Sequence, residues 1–487
     1  MLNYSIPRLV VSALRGGSGK TFLSLSLIAL WRKKGLKVIP FKKGPDYIDA
    51  GWLAQAAKGD CFNLDLFMIL PKEIIRSFIE RTNDAQVAVI EGNKGLYDGV
   101  DPEGTYSTAR LAKLLNAPVI IVVDCTKATN TVSAMVLGCQ RFDPEVHLAG
   151  VILNRVATGR QESLIRNSIH RNCKIPVLGA IPRLKKHLLP ERHMGLLPYQ
   201  EHPVVEEGIS RIAEIGSRYI DLDGIWRITN EAEPLRNVEL EKPKSHTPRP
   251  YSARQGRLKS EIKIGVIKDS AFQFYYPENL EGLKERGAEI VEISALREKE
   301  LPQLDALYIG GGFPETHAIA LAENIRFKNS LCKEIENGLP VYAECGGLMY
   351  LGESLVVGNK TYPMSGVLPL VFGLEKKPQA HGYTIIEVMG KNPFFPKGSV
   401  LRGHEFHYSR LLDITKSKTF TKRGHVYFAF RMKRGQGIVN KMDGLCYKNV
   451  LATYTHLHAL GTREWVDGLV EASAQFNLLG KQDLILL

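Results

Sequence analysis

The chain has 487 residues, a formal net charge of +13, 44% hydrophobic residues and 24% charged residues. That length exceeds one ordinary core, so two domains are expected, and the composition is globular rather than disordered or collagen-like. The longest apolar runs are strand-sized, which argues against a helical membrane span, and the N-terminus carries no secretory pattern.

Seven cysteines without a C-x-x-C pair argue for a reducing, cytoplasmic setting and against a zinc or disulfide framework. The basic excess is spread out, with clusters at Arg32-Lys33-Lys34, Lys42-Lys43 and 241–263. No nucleic-acid module accompanies it, so no nucleic-acid partner is expected. A polycarboxylate or polyphosphate substrate explains the charge as well as nucleic acid would, while a solvated basic surface is the simplest reading of any single cluster.

In the first half, apolar runs alternate with helix-length stretches. Strands are expected at Leu9–Ala13, Lys37–Phe41, Val87–Ile90, Val119–Val123, Ala149–Leu153 and Val177–Ile181. Their continuous apolarity fits strands buried on both faces of a parallel sheet in a doubly wound α/β domain. The first strand runs into Arg15-Gly16-Gly17-Ser18-Gly19-Lys20-Thr21, and a helix follows over 22–34. Glycines let backbone N–H groups converge on phosphate oxygens; the lysine adds charge and the threonine hydroxyl a magnesium ligand. The match to G-x-x-x-x-G-K-[ST] is imperfect, because Leu14 holds the first glycine position. It is closer to Lys-Gly-Gly-x-Gly-Lys-Thr, with Arg15 in place of the first lysine.

Two lysines and two acids follow the second strand in Lys42-Lys43-Gly44-Pro45-Asp46-Tyr47-Ile48-Asp49. Glu91 ends the third strand, and Asp98 follows in Gly95-Leu96-Tyr97-Asp98-Gly99. Such sheets bind ligands at the carboxyl ends of their strands, so acids there can hold Mg²⁺. Each acid alone reads as a surface charge; several beside one phosphate loop favour a site. Cys125 reads as core. Residues 230–260 turn polar and proline-bearing, without helical or strand period, and read as a linker between domains at 1–229 and 261–487.

The second half restarts with strands at 262–267, 289–293 and 306–309, the last ending in Gly310-Gly311-Gly312-Phe313-Pro314-Glu315. Adjacent N–H groups in such a glycine run can form an oxyanion site. Val341-Tyr342-Ala343-Glu344-Cys345-Gly346-Gly347-Leu348 then takes an apolar strand into a sharp corner. A corner of this kind exposes a nucleophile; equally, it can hold a structural thiol. A base is available in Thr453-Tyr454-Thr455-His456-Leu457-His458. Leu401-Arg402-Gly403-His404-Glu405-Phe406-His407 reads as a polar edge strand, and a final helix over 462–476 carries Trp465, Val466, Leu469, Val470 and Ala474 inward.

These motifs, with Asn63-Leu64-Asp65, Gly150 to Arg155 and Pro190 to Leu196, make the chain resemble the cobyrinic acid a,c-diamide synthase family. The resemblance implies two α/β domains. The first is a P-loop parallel-sheet domain like dethiobiotin synthetase; the second is a class I glutamine amidotransferase-like domain. It implies ATP, Mg²⁺ and L-glutamine, and amidation of the a and c acetates of an acidic tetrapyrrole through an acyl phosphate. Cobyrinic acid leads; sirohaem and (nickel-)sirohydrochlorin are substrates of relatives.

By this resemblance Gly16, Gly17, Ser18, Gly19, Lys20 and Thr21 bind ATP. Thr21, Asp46 and Glu91 hold metal, while Tyr47, Asp49 and Asp98 serve the carboxylate being activated. Cys345 is the nucleophile and His456 its base. Gly311, Gly312 and Gly346 form the oxyanion site, and Arg402, His404 and His407 contact the tetrapyrrole. A homodimer is left open. Two departures stand out: Ala343 where the wider class has glycine, and His458 where it has an orienting glutamate. A second reading treats the first half as a switch ATPase acting on a protein partner. The cysteine–histidine half argues against it, since a switch has no use for a glutaminase.

Overall fold

A computed structural model describes residues 2–184, 191–192, 195–196, 198–201, 204–238, 262–414 and 426–485. The chain falls into two compact units, Met1–Glu241 and Lys242–Leu487.

The first unit is built on a seven-stranded sheet. Its order is Phe62–Leu64, Val38–Lys43, Val87–Glu91, Arg8–Ala13, Val119–Asp124, Leu148–Val156 and Val177–Pro182. Every pairing is parallel. Arg8–Ala13 is buried along its whole length, as a central strand covered on both faces requires. Helices Lys20–Lys33 and Val205–Tyr219 pack together over it, and Trp31 meets Trp226 edge-on at 5.5 Å. The edge strand Phe62–Leu64 is three residues long, too short for its alternation to stand out in the sequence.

The described part of the expected linker, residues 230–238, is structured. Asn230 closes the helix Leu222–Asn230, and Leu235–Val238 is a strand paired antiparallel with Leu2–Tyr4. The cause is Arg8. Its buried guanidinium donates to the carbonyls of Ile6, Leu115, Asn116 and Glu233, tying the outgoing chain to the sheet. Burial pushes that guanidinium down to about 10. Residues 239–260 of the expected linker, and with Glu261 most of the 241–263 basic cluster, lie outside the described residues. So do Pro190, His193 and Met194 of the motif at 190–196.

The second unit carries a nine-stranded sheet. The first five strands are parallel: Ala288–Ile293, Ile262–Ile267, Ala306–Ile309, Val341–Glu344 and Val450–Thr453. Four antiparallel strands continue it: Met442–Tyr447, Tyr427–Arg434, Ala380–Val388 and Val400–His407. Val400–His407 ends the order, as expected of an edge strand. Yet its outer side folds back, and His404 and His456 exchange backbone hydrogen bonds of 3.1 and 2.8 Å. The last helix, Arg463–Ile485, buries Trp465, Val466, Leu469, Val470 and Ala474. Among the described residues no helix is long and apolar enough to cross a membrane.

Candidate active sites

In the first unit, the phosphate loop leaves Arg8–Ala13 where the strand order reverses direction, the usual ligand crevice of an open parallel sheet. Gly17 and Gly19 take left-handed backbone angles, φ 71° and 105°. A side chain at Gly19 would also lie 2.3 Å from Asn154 Nδ2, which itself donates to the Ser18 carbonyl at 2.8 Å. Asn154 therefore sets the loop from the strand Leu148–Val156. Lys20 and Thr21 open the helix Lys20–Lys33. Lys20 Nζ donates to the Lys94 carbonyl at 2.8 Å, and burial lowers its pKa.

Beside the loop lies a buried ion cluster centred on Lys42. Its ammonium contacts Asp49 Oδ2 and Glu91 Oε1, each at 2.6 Å. Thr21 Oγ1 donates to the same Glu91 oxygen at 3.0 Å. Asp46 Oδ1 accepts from the Asp49 N–H at 2.9 Å, and Asn63 Nδ2 donates to the carbonyls of Gly44 and Asp46. Burial would lower the Lys42 pKa, but Asp49, Glu91 and Asp46 overcome it and hold it well above the ordinary range. Burial, with Asp49 beside it, pushes Asp46 up to about 7; burial also raises Glu91. At Asp49 burial is outweighed by Lys42, and its pKa falls.

The metal expectation can be tested on this cluster. Thr21, Asp46 and Glu91 offer only hard oxygen donors, and Glu91 Oε2 is buried without a hydrogen-bond partner. Among the described residues, no three His, Cys, Asp or Glu side chains form a ready metal cage. A partial oxygen shell is what Mg²⁺ uses when nucleotide phosphates and water complete its octahedron, so these residues fit it. Tyr47 precedes the helix Ile48–Ala57, next to Asp46 and Asp49. Asp98 lies farther along its loop, exposed, where its carboxylate accepts from the Gly95 N–H at 2.7 Å.

Asp124 closes the other side of the loop, accepting from Arg15 at 3.0 Å and Arg155 at 2.8 Å. Burial would raise its pKa; the Thr126 hydroxyl and N–H, then Arg15 and Arg155, hold it at about 2. Cys125 is buried, as a core residue should be.

In the second unit, Cys345 ends the strand Val341–Glu344 and starts the helix Gly346–Leu351. Its φ is +48°, a backbone angle that a non-glycine residue holds only when its surroundings enforce it. Here the Cys345 N–H donates to the Thr453 carbonyl at 2.8 Å, and the Gly347 N–H to the Gly310 carbonyl at 3.1 Å. The corner is therefore clamped by both neighbouring strands. A methyl on Gly346 would lie 3.0 Å from the Gly312 nitrogen, and one on Gly311 would strike His456 Cε1 at 2.5 Å. The three glycines, Cys345 and His456 thus meet at one sheet edge. Burial pushes the Cys345 thiol up, with Glu315 and Glu344 adding to it against a hydrogen bond from the Gly346 N–H. A thiol in that state needs a base to lose its proton.

His404 and His407, the expected tetrapyrrole contacts, are packed against neighbouring rings. Both are 6% exposed. His404 stacks on His456 at 4.9 Å and meets Tyr276 Oη through Nδ1 at 3.4 Å. His407 stacks on Tyr454 at 3.6 Å, and its Nδ1 contacts the Ser409 carbonyl at 2.7 Å. Both rings thereby support the turn that carries His456. Burial, then His456, keeps His404 well below the usual histidine range. Arg402, on the same strand, is exposed.

Sequence reasoning gave no role to Asp443. It is fully buried and accepts from the Thr453 hydroxyl at 2.7 Å and from the Tyr454 N–H at 3.0 Å, fixing the turn that carries His456. Burial pushes it up to about 6, despite those donors. A raised carboxyl pKa favours the fold below the unfolded value of 3.8 and loses that contribution as pH rises through about 6. In chemical denaturation, the stability of the wild type relative to Asp443→Asn should therefore fall between these pH values, by at most about 3 kcal/mol. A difference that stays flat with pH would refute the shift.

Comparisons with known proteins agree with this arrangement. Residues 9–197 match a CobQ/CobB/MinD/ParA nucleotide binding domain, and residues 263–464 a CobB/CobQ-like glutamine amidotransferase domain. A protein of Magnetococcus marinus named cobyrinate a,c-diamide synthase is 41% identical over 95% of this chain and 96% of its own. One of the same name from Archaeoglobus fulgidus is 39% identical with the same coverage. A third, from Caldanaerobacter subterraneus, is 35% identical over 96% of this chain and 98% of its own. A nucleotide binding domain and a glutamine amidotransferase domain in one chain, with likeness along nearly its whole length, place it in the cobyrinate a,c-diamide synthase family of glutamine-dependent amide ligases.

Proposed function

We propose that the chain amidates the a and c acetate carboxylates of cobyrinate, using ATP and glutamine. The observation that carries this is the pairing of two chemistries in one chain. A phosphate loop borders a buried lysine–carboxylate cluster, and a strained cysteine corner lies beside a histidine and a glycine shelf. Neither half accounts for the other except in a reaction that makes ammonia and spends it on an activated acid.

In the second unit, His456 takes the thiol proton and Cys345 attacks the side-chain amide carbon of glutamine. N–H groups near Gly311, Gly312 and Gly346 receive the oxyanion. His456 returns the proton to the leaving ammonia, and water hydrolyses the thioester to glutamate. In the first unit, Gly16 to Thr21 hold the nucleotide phosphates. The substrate carboxylate takes the terminal phosphoryl group, and ammonia then displaces phosphate to leave the amide. Mg²⁺, held by Thr21, Glu91 and Asp46, would neutralise phosphate charge. Lys42 balances the acids around that reaction, and Tyr47, Asp49 and Asp98 line the approach of the carboxylate. The net charge of +13 suits a substrate with many carboxylates.

The test is mass spectrometry of candidate tetrapyrroles after incubation with ATP, Mg²⁺ and glutamine. Each carboxyl-to-amide conversion lowers the mass by about one unit, since NH₂ replaces OH at an acyl centre. Two such steps on cobyrinate are expected. Reaction with sirohaem or nickel-sirohydrochlorin instead would move the chemistry to that substrate. No amide from any of them would defeat the proposal and return the switch-ATPase reading.

A further inference from the structure

The glutaminase corner needs a group that orients its base, and the residue two places after His456 cannot be it. His458 is fully buried and turned elsewhere. Its Nδ1 accepts from the Leu460 N–H at 3.2 Å, so in the neutral ring Nε2 carries the proton, and Nε2 faces Glu278 at 3.6 Å. Its ring also packs on Tyr276 at 4.6 Å.

The carboxylate comes from the other side, one residue before the nucleophile. Glu344 is fully buried at the end of the strand Val341–Glu344. Its Oε2 lies 3.3 Å from His456 Nδ1, an ion-pair contact whose alignment falls short of a hydrogen bond. Three donors fix the carboxylate in place. Tyr308 Oη donates to Oε2 at 3.0 Å; Tyr342 Oη and the Leu457 N–H donate to Oε1 at 3.2 and 3.1 Å. The Leu457 contact matters twice, because Leu457 follows His456 and so the same side chain sets both the ring and its backbone. The opposite edge of the ring, Cε1 and Nε2, faces Gly311. The imidazole therefore spans from a buried carboxylate to the glycine shelf beside Cys345.

We propose that Glu344 is the positioning residue of the glutaminase reaction, holding His456 with its proton on Nδ1 so that a bare Nε2 faces the thiol. One strand end then supplies the nucleophile and the carboxylate that orients its base. This rests on the reading of Cys345 and His456 given under Proposed function. An isosteric amide exposes the role. In Glu344→Gln, the oxygen can still accept from Leu457 and Tyr342. The amide NH₂ then faces Nδ1, which favours the tautomer with its proton on Nε2, the wrong nitrogen for a base.

Two measurements decide it. Glutamine hydrolysis by Glu344→Gln should lose about a hundredfold or more in kcat, while KM for glutamine stays within about threefold. A kcat within about threefold of wild type overturns the proposal, and so does a loss of kcat matched by a rise in KM and a lower melting temperature, which marks a packing role. The second measurement needs no Glu344 variant. Nitrogen-edited NMR of wild-type histidine side chains, with the His456 signal assigned by its absence in His456→Gln, should show a proton on Nδ1. A His456 protonated on Nε2 alone overturns the proposal even if Glu344→Gln fails to fold. If the wild type hydrolyses no glutamine, the reading of Cys345 fails, while the NMR result still decides the placement of Glu344 against His456.

Discussion

Replacing Cys345 by serine should abolish glutamine-dependent amide formation, by about a thousandfold or more, and leave formation from free ammonia in place. Serine differs from cysteine by one atom, so the corner itself is preserved. The clamps on it are backbone bonds from Cys345 to Thr453 and from Gly347 to Gly310, which the exchange does not touch. The strain at φ +48° is carried equally by either side chain. What changes is the nucleophile. Burial already disfavours the Cys345 thiolate, and an alcohol in the same pocket is far harder to deprotonate. The readout is amide product from glutamine and from ammonium salt, measured side by side. Loss with both nitrogen sources, in a folded variant, would show that Cys345 has a second task in synthesis. Retention with both would show that the corner is structural.

The parts of this protein legible in the sequence are those with a local signature. Six buried parallel strands of the first unit announce themselves as apolar runs, because both their faces are covered. The phosphate loop is legible because Gly17 and Gly19 need backbone angles that other residues avoid. The less legible parts depend on contacts distant in the chain. Leu235–Val238 is a strand because Arg8 and Leu2–Tyr4 receive it, and nothing in its own residues says so. His404 sits on a polar strand, and its stack on His456 appears only when the sheet curls. Glu344 and Asp443 carried a faint signal, an acid in an otherwise apolar strand. Burying a charge there is costly, so such a residue asks for a purpose. Its partners, at Tyr308, Leu457 and Thr453, could be found only in three dimensions.

Lys42→Met should remove amide synthesis with glutamine and with ammonia alike, and it should lower stability. Lys42 is 1% exposed at its side chain and bridges Asp49 and Glu91 at 2.6 Å each. Methionine fills much of the same volume but leaves Asp46, Asp49 and Glu91 crowded without their cation. Breaking a buried pair in this way costs about 3–5 kcal/mol. That corresponds to a fall in melting temperature on the order of 10 °C for a unit of this size. The two effects can be separated. Adding Asp49→Asn removes one of the stranded charges, so Lys42→Met/Asp49→Asn should regain part of the melting temperature. It should not regain synthesis, because Lys42 and Asp49 both border the position where the carboxylate meets the phosphate loop. Activity returning together with stability would reduce Lys42 to a charge-balancing role. Stability returning without activity would separate the task of the Lys42–Asp49 pair at the site from its task in the fold.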